Sequence, residues 1–237
     1  MTDLLTNPPK KEFENFHNFP IISNLENFEA DIAILGIPYG DPYSTAEVAN
    51  DQSVAPNHIR KYFERSLRGL DRYDFDIGGE LFNGENIKVV DCGDVISDPQ
   101  DVAGNHARSE KVVRKILNAG ALPIVLGGDH SIPIPVLRAL ESHGSVTLIQ
   151  VDAHIDWRDD FHGVKYGLSS VIRRASEMSH INDIFQIGLR SAGSARLEEV
   201  EAAKKYGANL ISDIELQDVG MQDILNPIPD EQNYYLT

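Results

Sequence analysis

Cysteine is almost absent. Cys92 stands alone, so no disulfide can close within the chain, and the disulfide-stapled secreted scaffolds are excluded. It follows the apolar run Ile87–Val90, which predicts a buried structural thiol and not a nucleophile. Long hydrophobic runs are also missing: no stretch approaches the ~20 apolar residues that span a bilayer. Met1 to Phe19 is polar and mixed in charge, lacking the basic start and apolar segment of a signal peptide. A reducing, cytoplasmic setting is therefore expected. Positive charge is scarce, with 21 Lys and Arg against 37 Asp and Glu and a formal net charge of -16. That balance repels nucleic acid and anionic lipid, so neither is expected as a partner; it keeps the chain soluble and tolerates a small cationic substrate. Repeats, low-complexity tracts and long flexible linkers are lacking as well.

What is present is an ordinary globular composition, 41% hydrophobic over 237 residues, enough for one substantial domain. Residues 1–237 are read as a single α/β domain preceded by a polar N-terminal extension over 1–29. Short apolar runs alternate with longer amphipathic stretches, the pattern of a parallel sheet joined by helices. The predicted strands are Asp31–Leu35, Ile87–Val90, Pro123–Leu126, Val146–Val151, Ile184–Ile187 and Leu210–Ile211. The predicted helices are Ala55–Glu64, Asp101–Asn118, Pro133–Ser142, Leu168–Met178 and Ser194–Tyr206, the last ending at Gly207. Asn233 to Thr237 reads as the start of a further strand, so the chain is expected to stop inside an element.

Two motifs carry chemistry. Gly127-Gly128-Asp129-His130-Ser131 follows one apolar strand, and Asp152-Ala153-His154-Ile155-Asp156 follows another. Ligands bind beyond the carboxyl ends of the strands in open parallel sheets, so both are well placed. In the second motif three polar side chains recur at every second position and share a face if the chain stays extended. Extension would hold the outer Cα atoms ~13 Å apart, at ~3.3 Å per residue. Either the chain curls after the strand, or the row serves two neighbouring ions. Carboxylates beside a buried strand are costly to desolvate without a cation. His130, Asp152, His154 and Asp156 form a mixed imidazole and carboxylate set that suits Mn, Fe, Ni or Zn. Four side chains are few for two ions, which predicts further ligands; Asp129, Asp159 and Asp160 stand nearby without a spacing that recommends them.

Gly-Gly-Asp-His-Ser followed by Asp-Ala-His-x-Asp resembles the first two motifs of the ureohydrolases, the arginase and agmatinase family. Asp31–Pro38 and Gln186-Ile187-Gly188-Leu189-Arg190 resemble further strands of that family. The resemblance implies a three-layer α/β/α fold with a mostly parallel central sheet. It implies two Mn2+ ions, with His130 and His154 each on one ion, Asp152 bridging and Asp156 joining His130; Ni2+, Fe2+ or Zn2+ stay open. His162-Gly163 resembles the family's proton-shuttling His-Gly. The activity implied is hydrolysis of a guanidino compound to urea and an amine through a metal-bridging hydroxide that Asp156 helps to hold. A homo-oligomer, trimer or hexamer, is implied too.

The family's third motif, an Asp-x-Asp strand, is absent, so C-terminal strands are expected to be missing and metal binding and turnover to be weak. The acidic loop Trp157-Arg158-Asp159-Asp160-Phe161 favours a cationic substrate such as agmatine, with guanidinobutyrate, guanidine and arginine as alternatives; Arg158 would instead pair with a carboxylate. The rival from another class is a non-catalytic homologue acting as a metal-binding or assembly subunit. A dinucleotide-binding oxidoreductase is disfavoured, because the glycines around Gly36 and Gly40 lack the fingerprint spacing. Arg173 and Arg174 are expected on a solvated helix face, and Trp157 either in packing or at a substrate entrance.

Overall fold

The structure, a computed structural model, describes residues 5–9, 19–41, 43–44, 51–63, 72–230 and 233–237. Part of the N-terminal extension and Glu64 of the first predicted helix lie outside them. The chain divides into two compact units, Met1–Tyr39 with Val48–Gly128, and Gly40–Glu47 with Asp129–Thr237.

The first unit contains β1 (Thr6–Asn7), β2 (Ile32–Ile37), α1 (Ala55–Phe63), β3 (Tyr73–Asp74), β4 (Gly79–Glu80), β5 (Val89–Val95), α2 (Val102–Asn118) and β6 (Leu122–Gly127). Its four-stranded sheet has the order β1-β5-β2-β6. β2 pairs in parallel with both β5 and β6, while β1 is antiparallel. β3 and β4 make a separate exposed hairpin. All of β5 is buried, as expected of a strand covered on both faces. The Cys92 thiol within it is fully buried, and desolvation, reinforced by Asp91, pushes its pKa up to about 12. Gly93 has φ +71, and a side chain there would meet the Asn7 carbonyl oxygen 2.0 Å away, so β1 can lie on β5 only because this residue is glycine.

α2 starts where an aspartate can cap it: the Asp101 carboxylate accepts from Gly104 N at 2.9 Å. Arg60, in the last turn of α1, is fully buried. It makes a two-pronged bond to Asp91, 2.9 Å at both Nε and Nη2, and a third to Asp94 at 2.6 Å. Burial opposes the Arg60 charge, but the two carboxylates outweigh it and its pKa is raised. Burial also raises the Asp94 pKa, with Arg60 opposing. This cluster keeps polar groups inside β5 satisfied.

The second unit contains α3 (Pro133–Ala139), β7 (Val146–Val151), α4 (Val171–Ala175), β8 (Ile181–Leu189), α5 (Leu197–Tyr206), β9 (Asn209–Ser212), α6 (Asp213–Val219), α7 (Met221–Leu225) and β10 (Asn233–Leu236). Its sheet order is β10-β7-β8-β9, and every pairing is parallel. The core joins Leu148 and Ile184 of the sheet to Leu137, Ile172, Trp157 and Ala203, each fully buried large side chain contributing ~1.5–3 kcal/mol.

The helix expected from Ser194 begins instead at Leu197. Glu199 accepts from the Arg196 backbone N–H at 2.9 Å and so satisfies the N-cap residue's own donor there. It ends as expected at Gly207, φ +101. The α/β class read from the sequence holds, with its parallel strands carried in two four-stranded sheets.

Candidate metal centre

The candidate ligands of both motifs, His130, Asp152, His154 and Asp156, fall in the second unit, although Gly127 and Gly128 belong to the first. His130 stands on the turn that leads into α3, and Asp152 to Asp156 lie just beyond the carboxyl end of β7. The chain does curl there. Asp156 has a left-handed backbone, φ +47, which aspartate tolerates better than most residues. The curl removes the wide separation that an extended chain would impose. His130 Nδ1 lies 2.7 Å from Asp156 Oδ2 and 3.6 Å from Asp152 Oδ2, and donor atoms of His130, Asp152 and Asp156 all lie within 4.8 Å of one another.

Asp156 is buried and Asp152 half-buried. His130 feels two opposed effects: burial disfavours its charged form, but the hydrogen bond and charge of Asp156, helped by Asp152 and Asp129, win and raise its pKa. Its Nε2 lies 3.2 Å from Thr237 Oγ1. His154 stands beside this group, its Nδ1 3.0 Å from Asp152 Oδ1, and its side chain is 64% exposed. The structure thus brings three of the four expected ligands together and places the fourth on the other oxygen of Asp152.

Two residues that sequence reasoning passed over orient this group. Gln150 Nε2 donates to Asp156 Oδ2 at 2.9 Å, and Gln186 Nε2 donates to Gln150 Oε1 and to the Ile155 carbonyl, the latter at 2.7 Å. Both glutamines are completely buried, on β7 and β8. The available signal was one glutamine inside each of two apolar runs, Leu148-Ile149-Gln150-Val151 and Ile184-Phe185-Gln186-Ile187.

The other acidic candidates are engaged elsewhere. Asp129 Oδ1 accepts from the Ser131 backbone at 2.8 Å and hydroxyl at 2.5 Å, and burial raises its pKa against these bonds. Asp159 pairs with Arg174 at 2.6 Å, which lowers its pKa. Asp160 accepts from Gly163 N at 3.3 Å. Arg174 is a correction to the solvated face expected of it: its side chain is only 7% exposed, folded onto Asp159 and Glu177.

A cleft of about 150 Å³ opens over the cluster, lined by His130, Asp152, Asp156, Trp157, Arg158 and Glu199 among others. Trp157 is packed in the core at 2% exposure, with its edge among the residues that line the cleft. His162 is exposed, with φ +52, and does not line the cleft; its ring lies 4.2 Å from that of Phe161.

Residues 30–237 match the family model described as the arginase family. A guanidinobutyrase of Pseudomonas aeruginosa is 34% identical over 142 residues, covering 59% of this chain and 44% of that protein. An agmatinase of Bacillus anthracis is 32% identical over 187 residues, covering 77% and 59%. The chain therefore spans about half the length of these relatives. Among solved structures, the agmatine ureohydrolase of Thermoplasma volcanium superposes with a TM-score of 0.69 at 28% identity, covering 91% of this chain and 68% of that one.

Proposed function

This chain belongs to the arginase family, and from that premise we propose that it hydrolyses the guanidino group of a small molecule to urea and an amine at the His130, Asp152 and Asp156 cluster. The observation that carries the reading is the convergence of one imidazole and two carboxylates within 4.8 Å at the floor of a cleft. Donors so arranged fit a divalent ion: the set mixes nitrogen and oxygen, and the buried Asp156 charge calls for a cation. His154, already hydrogen-bonded to the free side of Asp152, extends the set towards a second ion. Manganese is the expected metal, and Fe2+, Ni2+ and Zn2+ suit the same donors.

When bound, such ions supply a water of lowered pKa and polarise the carbon it attacks. The residues of the chain do the rest. Gln150 and Gln186 fix the Asp156 carboxylate in one orientation, so that it is placed before substrate arrives. The carbon–nitrogen bond to the alkyl amine breaks as the water oxygen is added, and the departing amine requires a proton. The resemblance points to His162 as the group that returns it; its ring packs at a tilt against Phe161, over which Arg158 of the cleft also lies.

The names of the relatives, guanidinobutyrase and agmatinase, support a guanidino compound as substrate. The test is urea release from agmatine and from 4-guanidinobutyrate by the full-length protein loaded with Mn2+, with metal content measured in parallel. Urea from at least one of them, abolished by a chelator and restored by metal, is expected. Stoichiometric metal with no urea from any guanidine would favour the metal-binding subunit over the enzyme.

A further inference from the structure

Resting on the guanidine-hydrolase reading, we propose that Arg158 reads a carboxylate at the far end of the substrate, so that the site prefers a guanidino acid to a guanidino amine. Arg158 lines the same cleft as His130, Asp152 and Asp156. Its position is fixed at three points. Its backbone N–H donates to the Ser169 carbonyl at 3.0 Å, its Nε donates to Glu199 Oε1 at 3.3 Å, and its guanidinium carbon lies 4.9 Å over the Phe161 ring. Its two terminal nitrogens make no hydrogen bond to the protein among the described residues. A guanidinium held by its inner nitrogen and its face, with its outer fork unfilled, is preorganised for the two oxygens of a carboxylate.

The competing substrate class carries an ammonium, which needs an available carboxylate; among the described residues lining the cleft, Glu199 is the one carboxylate beyond the candidate ligands. Glu199 is only 7% exposed. One of its oxygens takes Arg158, and the other takes the Arg196 backbone N–H at 2.9 Å. It also sits in the first turn of α5, where the helix N-terminus absorbs part of its charge, so it anchors Arg158 without cancelling the outer fork. The acidic loop residues that favoured agmatine in the sequence are turned elsewhere. Asp159 is spent on Arg174 and Asp160 on Gly163 N, and neither lines the cleft. An ammonium reaching past the metal cluster would meet the like charge of Arg158.

The experiment measures binding and turnover of a matched pair, 4-guanidinobutyrate and agmatine, by the Mn2+-loaded full-length protein and by Arg158→Gln and Arg158→Lys. The wild type is expected to bind the acid at least tenfold more tightly than the amine. Arg158→Gln should weaken the acid by about tenfold to a hundredfold, mostly in KM, and affect agmatine much less, so that the preference for the acid falls. Arg158→Lys should recover only part of the loss, because a point charge lacks the fork. Glu199→Gln, which leaves one oxygen for both Arg158 Nε and the Arg196 N–H and so loosens the arginine, should also weaken the acid. A wild type that does not bind 4-guanidinobutyrate, or a preference unchanged in Arg158→Gln, overturns the assignment. Urea from both compounds without discrimination removes the carboxylate subsite and leaves the hydrolase; discrimination in binding with no urea from either does the reverse.

Discussion

His130 shows how one residue ties the stability of the ion-free chain to metal affinity. Its pKa is raised because Asp156 and Asp152 outweigh the opposing effect of burial. A histidine raised in the folded state contributes stability that is fully present below its unfolded value, ~6.5, and is lost as pH climbs through the folded value. A metal ion needs the ring nitrogen without its proton, so binding displaces that proton and affinity rises with pH over the same window. The expected result is that Mn2+ binds several-fold to tenfold more weakly at about pH 6 than at about pH 8 by calorimetric titration. His130→Asn should flatten that dependence. A pH-independent affinity in the wild type would contradict the placement of His130 on the ion. The neighbouring Asp156 was legible as a candidate from its spacing. Its left-handed backbone was not, because the alternation that put three polar residues on one face left both an extended row and a curl open.

At the scale of elements, β7 and β8 do more than form the floor beneath the cluster. The glutamine on each strand faces its neighbour, and together they reach Asp156 through one hydrogen bond, Gln150 Nε2 to Asp156 Oδ2 at 2.9 Å. Gln150→Leu preserves volume and the apolar character of β7 but removes that donor and leaves Gln186 with only the Ile155 carbonyl as acceptor. It should weaken Mn2+ binding by about tenfold to a hundredfold, the range for partners that orient a metal ligand. Circular dichroism should stay native; metal affinity equal to the wild type would show that Asp156 needs no such support. These strands were read from the sequence because continuous apolar runs bounded by polar turns are strong signals, and β7 matches its expected limits, Val146–Val151. The elements that escaped are those with little to bury. β1 has two residues, β3 and β4 are short and largely exposed, and α6 buries none of its residues. Arg174 was misplaced because its partner Asp159 is fifteen positions away, a pairing no helical periodicity reveals.

For the whole molecule, the division into two compact units sets where a bound ion can act. His130, Asp152, His154 and Asp156 all belong to the second unit, as do the glutamines that orient them and Arg158 and Glu199 above them. An ion that binds only the folded cluster stabilises the states in which the cluster is intact, by about 2.7 kcal/mol at a hundredfold excess over its Kd. Openings of the second unit break the cluster and carry that penalty, whereas openings confined to the first unit leave it whole. Amide hydrogen exchange with and without Mn2+ reads this directly. Protection should rise by up to about a hundredfold at Leu148 and Gln186, in β7 and β8, and change little at Ile34 and Val90, in β2 and β5. An equal rise at all four positions would mean that the two units open only together. No rise at Leu148 and Gln186 would mean that the ion is not held where the motifs, the curl at Asp156 and the buried glutamines converge.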